Sequence, residues 1–232
     1  MRQETQGAGG GPAAPSPARQ RLAAAGFEAV VRTRASVRSF RDEPVPRDDV
    51  RLMVELATRA ANAGNAQPWL FVAVEDVGTK EAMRAAVAAA VDAMAGWPEA
   101  RGERRALAAV RRYATFFAAA PVVVAVFVLP YESTSDRLMA AHGLDQAARD
   151  RLRARPDLQS VGAAVQTLCL AAHAMGYGAC WMTAPVLAAE ELERLLGAPP
   201  QARLAALVPV GRPRRQPRPT RRRPVDEVLS FR

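Results

Sequence analysis

Residues 118–129 read AAAPVVVAVFVL, an apolar run broken only by Pro121. It falls short of the ~20 residues that a membrane helix needs, and Pro121 bars a helix from passing through it. Residues 122–129 therefore predict a strand buried on both faces, which needs a covering layer above and another below. A chain of 232 residues, 50% of them hydrophobic, is large enough to supply both layers around one core. A charged fraction of 24% is close to the globular average, which excludes global disorder.

The covering layers are legible as helical periodicity. Residues 19–34 predict a first helix through Leu22, Phe27, Val30 and Val31. A second helix opens near residues 46–49 and carries Val50, Met53, Val54, Ala57 and Ala61 on one face. Residues 69–74 (WLFVAV) read as a buried strand, and alanine-rich helices follow at 80–95 and 101–117. Residues 157–175 form a long helix with Gly176 placed to end it. Shorter elements complete the reading: a strand at 179–183, a helix at 190–196 and a strand at 204–210. The charged stretch 132–156 carries no sharp signal, and the Gly- and Pro-rich residues 1–18 predict a disordered arm before a domain spanning 19–232. This alternation is compatible with α/β or α+β.

Several function classes drop out on composition. Two cysteines, Cys169 and Cys180, are too few for a disulfide scaffold, and with His142 and His173 they do not make a zinc motif, so no metal site is expected. Cys180 has no partner in sequence that marks it as a nucleophile, and both it and His173 read as packing residues. The net charge of +9 comes largely from seven arginines at 212–223, without an acid among them. Such a tail is more commonly solvated surface than a nucleic-acid contact, and nucleic acid is disfavoured as a partner. The N-terminal residues carry no apolar signal-peptide run, so a soluble cytoplasmic protein without a membrane contact is the expectation.

Three short segments could carry chemistry. In Arg34-Ala35-Ser36-Val37-Arg38, alternation along an extended chain points Arg34, Ser36 and Arg38 one way. Two guanidinium forks and a hydroxyl suit a phosphate, although a solvated basic edge has the same look. Asn62, Ala63, Gly64, Asn65 and Gln67 bring amides that donate and accept, as a heterocycle's carbonyls and ring N–H require; an ordinary turn uses the same residues. Residues 176–185 (GYGACWMTAP) end a helix, turn, and deliver Thr183 on an apolar strand.

RASVRSF, NAGNAQPWLFVAV, GAAVQTLCLAAHAMGYGACWM and VPVGRPRRQPRPTRRRPVDEV, in that order, resemble the nitroreductase family of FMN-dependent flavoproteins. The resemblance runs from about residue 32 to 228. It implies an α+β fold with a mixed, mostly antiparallel sheet surrounded by helices, in an intertwined homodimer with FMN at the interface. By the same resemblance, Arg34, Ala35, Ser36 and Arg38 hold the FMN phosphate, ribityl chain and pyrimidine edge. Asn62, Ala63, Asn65 and Gln67 approach from the other subunit. Thr183 and Ala184 face flavin N5, where Thr183 tunes its chemistry, and Arg222 (or Arg221 or Arg223) reaches the phosphate. The implied activity is electron transfer from NAD(P)H as co-substrate to a nitroaromatic, quinone or similar small acceptor. A specialised reaction of the same superfamily (dehalogenation, flavin fragmentation or dehydrogenation) is the alternative, and a non-catalytic flavin- or nucleic-acid-binding protein stands behind it.

Overall fold

The computed structural model describes residues 16–232. Most of the expected arm, residues 1–15, lies outside the described residues. Ser16 caps the first helix, its Oγ accepting from the Arg19 N–H at 3.3 Å, so the last three residues assigned to that arm belong to the folded domain.

Four strands form one sheet in the order β1-β2-β4-β3. They are β1 (Trp69–Val74), β2 (Val122–Val128), β3 (Gly178–Ala179) and β4 (Arg203–Gly211), and every neighbouring pair is antiparallel. All seven residues of β2 are buried. Its alternation separates two cores. Val122, Val124, Val126 and Val128 pack with α3 (Arg47–Ala57) and α8 (Pro156–Ala174). Val123, Ala125 and Phe127 pack with Met83, Val87 and Val91 of α4 (Val77–Ala95) and Ala114 of α5 (Arg104–Thr115). A continuous apolar run thus serves an antiparallel strand because helices cover both faces, the condition usually met in parallel sheets.

The expected helix at 19–34 is two helices, α1 (Pro17–Ala24) and α2 (Phe27–Thr33). Ala25 and Gly26 are extended between them, and α2 buries none of its residues, leaving Phe27 78% and Val31 47% exposed. The apolar periodicity across 22–31 therefore did not mark one buried face. The silent stretch 132–156 holds α6 (Thr134–Ala141) and α7 (Gln146–Arg153), each capped by an acid or hydroxyl at its N-terminus. α9 (Ala189–Leu195) follows a 3₁₀ turn, and the tail past β4 forms no helix beyond one 3₁₀ turn at Val225–Glu227.

The strand expected at 179–183 is shorter, with β3 limited to two residues and one isolated bridge further on between Met182 and Leu207. Cys180 N–H donates to Pro209 O at 3.3 Å, and Pro209 has no N–H to return the bond, so the ladder breaks there. Gly176 ends α8 as expected, at φ +80°, with its N–H on His173 O and the Tyr177 N–H on Ala172 O.

Sequence reading missed the lock that follows. Arg21 Nε donates to Met175 O at 3.0 Å, while Arg212 Nη1 donates to Gly176 O at 2.8 Å and its guanidinium stands 4.0 Å over the Tyr177 ring. Two cations at a helix C-terminus complement its dipole. Tyr177 Oη donates to the buried Asp49 at 2.6 Å, tying the end of α8 to the first turn of α3. Tyr177→Phe leaves that carboxylate without its buried donor and is expected to lower stability by about 1–3 kcal/mol, read from urea denaturation.

Candidate functional site

Residues 34–41 leave α2 and run along the free edge of β3. Ser36 bridges Ala179 in parallel, the Val37 N–H donates to Ala179 O at 3.0 Å, and Phe40 bridges Pro213. Gly178 makes this approach possible: a Cβ there would stand 2.5 Å from Val37 Cγ2, closer than atoms can come. Ala35 and Val37 are buried, which turns Arg34, Ser36 and Arg38 to the outer side, as alternation requires, and the alternation ends before the buried Phe40.

All three influence the Cys180 thiol. Burial pushes the thiol up, while Arg38, the Ser36 hydroxyl and Arg34 act in the opposite direction. The Arg34 charge also acts on Cys169 and His173, and the adjacent Thr33 meets His173 of α8 directly. Burial drives the Cys169 thiol up to about 12, so it stays protonated and unreactive at neutral pH. His173 lies 2.8 Å from Thr33 Oγ1, whose single proton already goes to Ala29 O at 2.6 Å; the imidazole Nε2 therefore carries the shared proton.

The third segment stands next to this cluster. Met182 exchanges both backbone bonds with Leu207, at 2.9 and 3.0 Å, and its buried side chain turns Trp181 and Thr183 outward. Trp181 is 43% exposed, and its ring edge lies across Gly162 of α8. Thr183 is exposed, its carbonyl accepts from the Val186 N–H at 3.0 Å, and its hydroxyl has no hydrogen-bond partner among the described residues. Ala184, also exposed, begins the 3₁₀ turn Ala184–Ala188.

The amide loop lies elsewhere. Asn62 Oδ1 accepts from the Gln67 N–H at 2.8 Å, closing a turn in which Gly64, Asn65 and Gln67 all have left-handed φ of +57°, +52° and +51°. Its Ala63 N–H donates to Ser160 Oγ near the start of α8, at 3.1 Å. Thirteen residues of helix separate Ser160 from His173, about 20 Å at 1.5 Å per residue. Segment 34–38 therefore follows Thr33 at the His173 end of α8, whereas the loop of Asn62, Ala63, Asn65 and Gln67 is anchored at Ser160 near the start of that helix, where Trp181 crosses Gly162.

Arg222 is not brought to either group. Its guanidinium bonds only within the tail, to Thr220 and to Arg221 O, and residues 221–232 are all exposed. Of the seven clustered arginines expected to divide into one ligand and solvated neighbours, Arg212 instead locks the end of α8. Among the described residues no cluster of three or more His, Cys, Asp or Glu could hold a metal ion, and no helix is long and apolar enough to cross a membrane.

The chain belongs to the nitroreductase family, whose model matches residues 31–212. It is 31% identical over 191 residues to the 5,6-dimethylbenzimidazole synthase of Rhodospirillum rubrum, covering 82% of this chain and 83% of that one. Among solved structures, a BluB-like flavoprotein from Clostridium difficile 630 superposes with TM-score 0.79 at 27% identity, covering 89% of this chain and 99% of the other. Iodotyrosine deiodinase bound to FMN and 3-iodo-L-tyrosine superposes with TM-score 0.65 at 25% identity, covering 88% and 99%.

His173 gives the site a pH signature. Burial, and then the Arg34 charge, lower its pKa from the ordinary 6.5. Above that value the neutral ring has no linkage cost, whereas below it the unfolded chain binds the proton more readily than the folded one. Stability is expected to fall as pH drops below about 6.5. In urea titrations His173→Gln removes part of that slope.

Proposed function

We propose that the chain is an FMN-dependent oxidoreductase that passes electrons from NAD(P)H to a nitroaromatic, a quinone or a similar small acceptor. One observation carries the reading: Arg34, Ser36 and Arg38 lie on one side of a segment bound to the edge of β3, and the chain that leaves β3 presents Thr183, whose hydroxyl has no hydrogen-bond partner among the described residues. Two guanidinium forks and a hydroxyl fit a phosphate with its ribityl chain. The close approach allowed by Gly178 fixes that edge to the sheet, so the donors are held before any ligand arrives. FMN held there would supply the redox chemistry that the side chains themselves lack.

Each group has its part. Arg34, Ser36 and Arg38, with the Ala35 backbone, hold the phosphate, ribityl and pyrimidine edge. Thr183 and Ala184 face N5, where the Thr183 hydroxyl offers a hydrogen bond. Asn62, Ala63, Asn65 and Gln67, on the loop that Ser160 of α8 anchors, serve the site of a second copy. The protein acts as a homodimer on this reading, with each site built from two chains. The tail, whose side chains past Arg212 make no hydrogen bond or ion pair with the body among the described residues, brings Arg222, or its neighbours Arg221 and Arg223, to a phosphate. A cytoplasmic location, where reduced nicotinamide is at hand, fits the same chemistry. A second reading, a specialised reaction such as flavin fragmentation, is favoured by the 31% identity to a 5,6-dimethylbenzimidazole synthase.

Purified protein is expected to be yellow and dimeric by light scattering, and excess NADH or NADPH under anaerobic conditions is expected to bleach its flavin band at ~450 nm. A yellow protein that neither nucleotide bleaches would turn the choice to the second reading. A monomer that retains FMN would remove the two-chain site.

FMN dissociation from tail variants tests the phosphate assignment. Arg222→Ala should weaken retention about ten- to a hundredfold, the loss of one charge-assisted contact, while Arg214→Ala and Arg215→Ala change little. Equal small effects from all three would make the tail a diffuse basic surface.

A further inference from the structure

α2, which carries Arg34 at its end, is weakly held. It buries none of its seven residues, and only Val30 is half-buried. A helix that short is not stable by itself and depends on what ties it down. Its backbone bonds beyond the helix reach only the flanking Gly26 and Arg34. The ion pair of Arg32 with Glu28 lies within the helix and anchors it to nothing else.

One side chain connects α2 to the rest of the domain. Thr33 Oγ1 lies 2.8 Å from His173 Nε2, and no other side chain of α2 forms a hydrogen bond or ion pair outside the helix among the described residues. The Thr33 hydroxyl gives its proton to Ala29 O, so the imidazole Nε2–H is the donor across the contact. His173 stands on firm ground: it lies in the last turn of α8, just before the end that Arg21, Arg212 and Tyr177 clamp.

Arg34 follows Thr33 directly. It is the C-cap of α2, with its N–H on Val30 O at 3.0 Å. It is half-buried, and its guanidinium has no hydrogen bond or ion pair among the described residues. On its other side the chain is fixed within three residues, where Ser36 bridges Ala179 and the Val37 N–H donates to Ala179 O. Arg34 is thus suspended between two anchors, the edge of the sheet and a single hydrogen bond from His173. A guanidinium whose backbone is already fixed loses less freedom when it takes up an anion.

We propose that His173 is a positioning residue for the anion site: by holding Thr33 it fixes the backbone of Arg34, so that the guanidinium is in place before a phosphate arrives. That the phosphate belongs to FMN rests on the flavin reading, while the hold of His173 on residues 27–36 does not.

Hydrogen exchange read by mass spectrometry and FMN affinity read by ultrafiltration, both on the full-length protein, test this. His173→Leu and Thr33→Val are each expected to speed amide exchange across residues 27–36 and to weaken FMN binding about three- to tenfold, the loss of one hydrogen bond between neutral groups. His173→Gln, whose amide N–H reaches about as far as Nε2, should restore both. Arg34→Ala supplies the comparison that a merely structural bond would not satisfy. In that background His173→Leu should lower FMN affinity no further, because its effect passes through Arg34. Additive losses, no rescue by Gln, or unchanged exchange at 27–36 overturns the proposal. Thr33 is exposed, so Thr33→Val keeps the fold and decides the matter if His173→Leu does not. A wild type that takes up no FMN removes the flavin reading; faster exchange in the Leu and Val variants then still keeps the positioning role, and unchanged exchange overturns it.

Discussion

Burial of β2 on both faces is the constraint on which everything else depends. A strand that alternates between two cores cannot shift register by one residue without moving every side chain into the wrong layer. Its pairing therefore fixes β1 and β4 on either side, and β4 in turn holds β3. The candidate site is assembled on the far edge of that chain of dependence. Segment 34–41 joins the sheet through β3, and its outward-facing arginines are only as well placed as β2 makes them.

The edge itself is held by small residues and by a missing donor. Gly178 lets Val37 come close enough for Ser36 to bridge Ala179, and Pro209 breaks the ladder one residue later. That break ends β3 early and frees the chain to turn Trp181 and Thr183 outward. Interruption of regular pairing produces the open face next to the arginines, in keeping with the tendency of binding groups to sit where a rigid scaffold stops.

α8 both joins and separates. Its C-terminal end is clamped by Arg21, Arg212 and the Tyr177–Asp49 bond, and its N-terminal end holds the Asn62–Gln67 loop. A rigid rod of 19 residues keeps two sets of polar groups apart within one chain. Under the two-chain reading, the same rigidity presents each set to the neighbouring copy's complement.

The sequence alone determined the elements whose cause is local. Strand β2 follows from its run of valines, α3 and α8 from their apolar spacing, and the end of α8 from Gly176, because each needs only propensity and period. It also determined that Arg34, Ser36 and Arg38 share a side, since alternation in an extended segment is local geometry. It could not show that α2 leaves Phe27 exposed, or that Arg212 rather than Arg222 folds back onto the domain. Those outcomes depend on which surfaces meet. The α2 apolar residues found no partner face, and the α8 C-terminus attracted the arginine nearest the end of β4. The tertiary structure decided them because burial and charge pairing are set by contacts between residues far apart in the chain.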